Sequence, residues 1–317
     1  MQETCSTRRK GRGRTAAPAV AAAAAALVAA VVVVVVEAAP TDRHPATNLQ
    51  AYCDLDPDVR PPHPTTLRDM RWIHFPKTGT SFGTCLAHYT CPGLDPNAYP
   101  NRAESPNGNY MQYFAETYMN SSTCDGVVNL RESHGHTPLR EREIAAGGIV
   151  GMFRDPRHRD YSGWLVHGRR GESPLHPEQL SDYVHLHRAC QMRMLLGFEC
   201  NRVDSVSELA VQISRQDVEY ALALLDSKFA FVGLTEFWRE SICLFHAMFG
   251  GDITPHEMAN VRPGASVRVR VRPRPSDIDT AADAHDWELY QHAASIFVSR
   301  LRKYGIRVPP ALAILVA

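Results

Sequence analysis

Trp72-Ile73-His74-Phe75-Pro76-Lys77-Thr78-Gly79-Thr80-Ser81-Phe82 runs from a short apolar strand into a loop of one lysine, one glycine and three hydroxyls. Gly83-Thr84-Cys85-Leu86-Ala87-His88-Tyr89 then continues as a helix. Strand, hydroxyl-rich loop and helix start together make a cradle for phosphate. Backbone N–H groups and the helix N-terminal dipole face an anion, glycine lets the main chain come close, and lysine adds a mobile point charge. The lysine precedes the glycine, whereas the Walker loop places it after the second glycine. The stretch is therefore not an ordinary nucleotide-triphosphatase loop.

Outward from this loop, Gly147-Gly148-Ile149-Val150-Gly151-Met152-Phe153 reads as a second buried strand. It delivers Arg154-Asp155-Pro156-Arg157-His158-Arg159-Asp160-Tyr161-Ser162. Pro156 suits the first turn of a helix, where its missing N–H costs nothing. Arg154 leaves the strand end as a rigid, permanently charged fork suited to phosphate. Ser162, about two turns into that helix, brings a hydroxyl toward the same anion. Two anion motifs at two strand ends describe a ligand with two separate phosphates.

These two motifs resemble those of the sulfotransferases that use 3′-phosphoadenosine 5′-phosphosulfate (PAPS), particularly the Golgi membrane-bound carbohydrate enzymes of the heparan and uronyl 2-O type. The resemblance implies that Pro76, Lys77, Thr78, Gly79, Thr80, Ser81 and Phe82 form the 5′-phosphosulfate loop. It implies that Arg154, with Arg159 and Ser162, receives the 3′-phosphate. Cys190-Gln191-Met192-Arg193-Met194-Leu195-Leu196-Gly197, Phe231-Val232-Gly233-Leu234-Thr235-Glu236 and Asp286-Trp287-Glu288-Leu289-Tyr290 are similar to later pieces of the same family. The Lys-Thr-Gly-Thr spacing is tighter than in most Golgi members and matches the cytosolic ones. Which of Thr80 and Ser81 meets which oxygen stays open. His134-Gly135-His136 is similar to the segment that carries the base in uronyl 2-O-sulfotransferases. That makes His136 the base, His134 its supporting histidine and Glu132 a weaker alternative; histidine titrates near neutrality and suits proton acceptance. No metal is assigned.

The expected fold is α/β: a P-loop-like parallel sheet flanked by helices, the sulfotransferase fold, with an N-terminal membrane anchor. Strands are expected at residues 71–75, 149–153 and 229–233. Helices are expected at 81–89, 159–167, 180–196, 217–225, 236–249 and 286–304. In such sheets, ligands sit beyond the carboxyl ends of the strands, where both anion motifs fall.

The chain divides into a basic tail at 1–15, an apolar run at 16–36, a proline-rich stem at 37–67 and a catalytic domain at 68–317. The apolar run, about twenty residues behind a cluster of arginines, suits a single-pass type II Golgi anchor with the domain lumenal. A cleaved signal peptide or a transit peptide are the competing readings. Lys plus Arg and Asp plus Glu both number 34, so no global field recruits nucleic acid. Beyond the apolar run lie Cys53, Cys85, Cys91, Cys124, Cys190, Cys200 and Cys243, an odd set with no CxxC pair and hence no zinc motif. Cys85–Cys91 and Cys190–Cys200 are expected local disulfides, and Cys243 a small buried hydrophobe. Arg268, Arg270 and Arg272 alternate with valines, either as a wall for an acidic ligand or as a solvated edge. The combined expectation is transfer of sulfate from PAPS to a glycan or proteoglycan hydroxyl. The alternatives are a P-loop-like nucleotide kinase and an inactive lumenal glycan-binding protein.

Overall fold

The structure is a computed structural model, in which residues 46–67, 69–91, 93–100, 114, 136–167, 178–200, 212–259 and 274–317 are described. The apolar run at 16–36, Cys124, Glu132, His134 and the arginines at 268–272 lie outside the described residues.

The chain enters through a short helix α1 (Leu49–Tyr52), strand β1 (Arg71–Ile73) and helix α2 (Phe82–Thr90). Helix α3 (Glu141–Ala146) precedes β2 (Ile149–Phe153), and α4 (Pro156–His167), α5 (Glu178–His187), α6 (Cys190–Leu195) and α7 (Arg215–Lys228) follow. Strand β3 (Phe229–Leu234) passes through one 3₁₀ turn, Thr235–Phe237, into α8 (Trp238–Phe249). Helices α9 (Pro255–Met258), α10 (Ala284–Lys303) and α11 (Pro310–Leu315) close the order.

The three described strands form a parallel sheet in the order β1-β2-β3, flanked by helices. Their residues are buried almost without a break, as a parallel sheet covered on both faces requires. Phe82 stacks on Phe231 at 5.5 Å between ring centroids and meets Phe245 edge-on at 5.6 Å, fixing α2 and α8 against β3. Because all strands run the same way, the loops after β1, β2 and β3 emerge at one edge.

Three expectations change. The helix expected over 180–196 is two helices, broken at Ala189, which takes a left-handed φ of +54°. Neither glycine nor proline marks the break. Arg159 Nη2 donates to the carbonyl of His187 at 2.9 Å and Asp283 Oδ1 accepts the Ala189 N–H at 2.7 Å, so tertiary partners replace the helical bonds.

The stem expected at 37–67 is held to the domain from residue 46 onward. The Asn48 side-chain amide donates to Ile253 O and accepts the Ile253 N–H, Arg239 Nε donates to the Tyr52 carbonyl, and Asp56 N–H reaches Gly305 O at 2.7 Å.

Cysteine pairing also differs. Cys190–Cys200 forms as expected, but Cys243 pairs with Cys53 across 190 residues, and Cys85 is a buried free thiol. Cys91 is disulfide-bonded, so the expected Cys85–Cys91 bridge does not form. The short spacing suggested that bridge, yet both residues sit on or beside one helix whose packing turns Cys85 inward. Two such disulfides fit a folded domain in an extracellular or lumenal compartment. Among the described residues, no helix is long and apolar enough to cross a membrane.

Candidate functional site

The three strand ends bring their loops to one place. The loop after β1 turns sharply: Lys77 holds a left-handed φ of +67° and Gly79 one of +102°. A side chain at Lys77 costs strain there, of the kind that concentrates at working sites. Gly79 is required twice over, because a Cβ on it would lie 2.7 Å from Cζ3 of Trp238. That indole is itself anchored, donating Nε1–H to the Glu257 carbonyl at 2.8 Å.

The candidate loop residues divide by direction. Thr78 turns inward, its hydroxyl donating to the Phe75 carbonyl at 3.0 Å, and Phe82 is core with no exposed surface. Pro76 is buried as well, so these three shape the loop. Among the described residues, the N–H groups of Gly79, Thr80 and Ser81 donate to no main-chain carbonyl. They stand consecutively at the head of α2, where a helix leaves its first amides unbonded. Thr80 Oγ1 lies 3.2 Å from Nε2 of His74, which follows directly on the end of β1.

Arg154 connects the ends of β1 and β2. Its Nη1 donates to the Lys77 carbonyl at 2.8 Å, and its Nε lies 3.5 Å from Oε1 of Glu236 at the end of β3. Burial lowers its pKa, opposed by Glu236. Gln191 holds its backbone on both sides, accepting Arg154 N–H and donating to Arg154 O at 3.1 Å each. Glu236 also accepts from Tyr290 Oη at 3.2 Å and from the Asp155 N–H at 3.4 Å, and lies 3.3 Å from Nδ1 of His158. Burial, followed by Glu236, raises the Tyr290 hydroxyl pKa, which keeps it a donor. Thr235 stitches the edge together: its hydroxyl lies 2.7 Å from the Thr78 carbonyl and 3.1 Å from that of Phe153.

Arg159 is packed into the protein interior. It is 2 % exposed and meets Asp160 at 2.7 Å, Asp283 at 3.1 Å and Asp286 at 3.5 Å. Its charge therefore serves the packing of α4 on α10, and the 3′-phosphate role implied for it does not suit this position. Ser162 sits half-buried on α4.

His136 arrives beside this edge. A carbonyl only accepts, so the 3.0 Å contact with His74 O makes Nδ1 the protonated nitrogen. In the neutral ring, Nε2 is then the accepting atom. The His74 and His136 rings lie 4.8 Å apart, and Trp72 stacks on His74 at 4.6 Å.

Glu236, Thr235 and His74 were the residues that motif reading undervalued. Glu236 and Thr235 follow a strand end directly, so the rule that drew attention to Lys77 and Arg154 also reaches them. Matched against protein-family models, curated proteins and solved structures, the chain has no counterpart.

Proposed function

We propose that the chain is a PAPS-dependent sulfotransferase acting on a hydroxyl of a carbohydrate, in the Golgi lumen behind a membrane anchor at 16–36. One observation carries the reading: Arg154 reaches from the end of β2 to the carbonyl of Lys77, beside three unbonded amides at the head of α2. Two anion-seeking groups thus sit on adjacent strand ends, matching a nucleotide with phosphates at both its 5′ and 3′ positions.

PAPS supplies an activated sulfuryl group whose bond to the 5′-phosphate oxygen breaks as the acceptor oxygen bonds to sulfur. Sulfuryl transfer resembles phosphoryl transfer, with in-line geometry and charge growing on the leaving oxygen. Lys77 neutralises that charge, and the Gly79, Thr80 and Ser81 amides with the Thr80 hydroxyl hold the 5′-phosphate. Arg154 takes the 3′-phosphate in exchange for part of its contact with Glu236. His136 accepts the acceptor proton at Nε2.

The test is a thermal titration of the chain with 3′,5′-ADP, 5′-AMP and ATP. A ligand at a hundredfold excess over its Kd adds about 2.7 kcal/mol to stability. Selective stabilisation by 3′,5′-ADP is expected. Preference for ATP moves the chain to a kinase, and no response to any of the three overturns nucleotide-dependent transfer.

A further inference from the structure

Beneath the α2 helix lies a cluster that the transfer reading does not use. Cys85 of α2, His246 of α8 and Glu257 of α9 are each no more than 1 % exposed. One donor atom from each, namely Sγ, a ring nitrogen and a carboxylate oxygen, lies within 4.8 Å of the other two. Nε2 of His246 is 3.7 Å from Cys85 Sγ and 2.6 Å from Glu257 Oε2. We propose that these three residues form a structural site for one divalent cation of the zinc class.

Four features carry this inference. Thiolate and imidazole ligands of tetrahedral zinc stand about 3.5 Å apart, given bond lengths near 2.3 and 2.0 Å, so the Cys85–His246 separation of 3.7 Å already suits a shared ion. The Glu257 oxygen needs to withdraw by only about 0.7 Å to reach the corresponding N···O spacing. The outer contacts are those of a ligating set: His246 Nδ1 lies 2.7 Å from the Gly251 carbonyl. Glu257 Oε1 is held at 3.1 Å by both the N–H and the hydroxyl of Thr254, leaving Oε2 to point inward.

Charge supports the same conclusion. A divalent ion bound by one thiolate, one carboxylate, one neutral imidazole and a water as fourth ligand has no net charge, as a buried site demands. Finally, Cys85 remains a thiol in a domain whose other described cysteines are disulfide-bonded. Metal ligation gives that thiol a role.

The site lies one step from the phosphate loop, because the Glu257 carbonyl holds Trp238 and Trp238 packs under Gly79. The metal is structural and takes no part in transfer, so the inference stands whether or not the sulfotransferase reading does.

The test is the zinc content, by mass spectrometry, of the full chain purified in detergent from zinc-replete culture. It is paired with the absorption spectrum of the same chain produced with cobalt. The expected result is about one metal per chain, with a near-ultraviolet thiolate-to-cobalt band and intense tetrahedral visible bands. Cys85→Ser and His246→Asn should each lower metal content at least about tenfold while circular dichroism shows a folded chain. Glu257→Gln should weaken affinity about 10–100-fold. A folded wild-type chain with less than about a tenth of an equivalent and no cobalt–thiolate band would overturn the proposal. So would metal content unchanged by Cys85→Ser and His246→Asn. The wild-type spectrum decides the matter even where a substitution prevents folding.

Discussion

Lys77, Gly79 and His136 each make a separate prediction at the scale of single residues. On the proposed reaction, Lys77→Ala removes the cation at the leaving oxygen and should lower kcat by about 10²–10³ or more. Near-normal turnover would remove Lys77 from the chemistry. His136→Ala should lower kcat by about 10²–10⁴ with little change in the affinity for 3′,5′-ADP. A loss confined to nucleotide affinity would instead place His136 in the binding pocket. Gly79→Ala forces a Cβ to 2.7 Å from a tryptophan that a hydrogen bond keeps in place, at a φ of +102°. It should cost about 1–3 kcal/mol in urea melts and distort the cradle. The sequence alone makes Lys77, Gly79 and Arg154 legible, because strand, turn and helix start are written within one short window. It leaves the inward turn of Thr78 and the packing of Arg159 invisible. Those depend on Phe75 O and on three aspartates, two of which lie more than a hundred positions away.

At the scale of elements, the working edge is built by bonds between strand ends as much as by the ladder. Thr235 gives one hydroxyl to two carbonyls, Thr78 O and Phe153 O, and so ties the end of β3 to both neighbours. Thr235→Val keeps the shape and deletes that hydrogen. It should cost about 1–3 kcal/mol, because carbonyls at the edge lose a donor, and it should weaken 3′,5′-ADP binding. An unchanged affinity would show that the ladder alone sets the edge. The strands were legible because each is a short apolar run, that of β2 announced by Gly147-Gly148. The break at Ala189 was not: no glycine or proline ends α5, and among the described residues Arg159 and Asp283 take up the His187 carbonyl and the Ala189 N–H.

Across the whole molecule, two kinds of distant pairing set stability. The first is the aspartate cluster under α4. Burial raises the Asp160 carboxyl from its ordinary 3.8 to about 7; Arg159 opposes this rise, and Asp286 and Asp155 add to it. Asp283 is raised as well, by burial and then by Asp286. A raised carboxyl binds its proton more tightly in the folded chain, so its contribution is complete below about pH 4 and is lost as pH rises through about 7. The melting temperature should therefore fall between about pH 4 and about pH 7, and Asp160→Asn should flatten that slope. A wild-type melting temperature that rises over this range would contradict the assignment.

The second distant pairing is Cys53–Cys243, and it bears on how the protein is made. Cys53 is synthesised 190 residues before its partner, about 10–40 s earlier at ordinary translation rates. Throughout that interval it meets Cys85 and Cys91 before the correct thiol exists. The segment around α1 is therefore locked down only after about three-quarters of the chain has been delivered. Oxidative maturation of this domain is a late event, dependent on a thiol that is kept waiting or rescued by exchange.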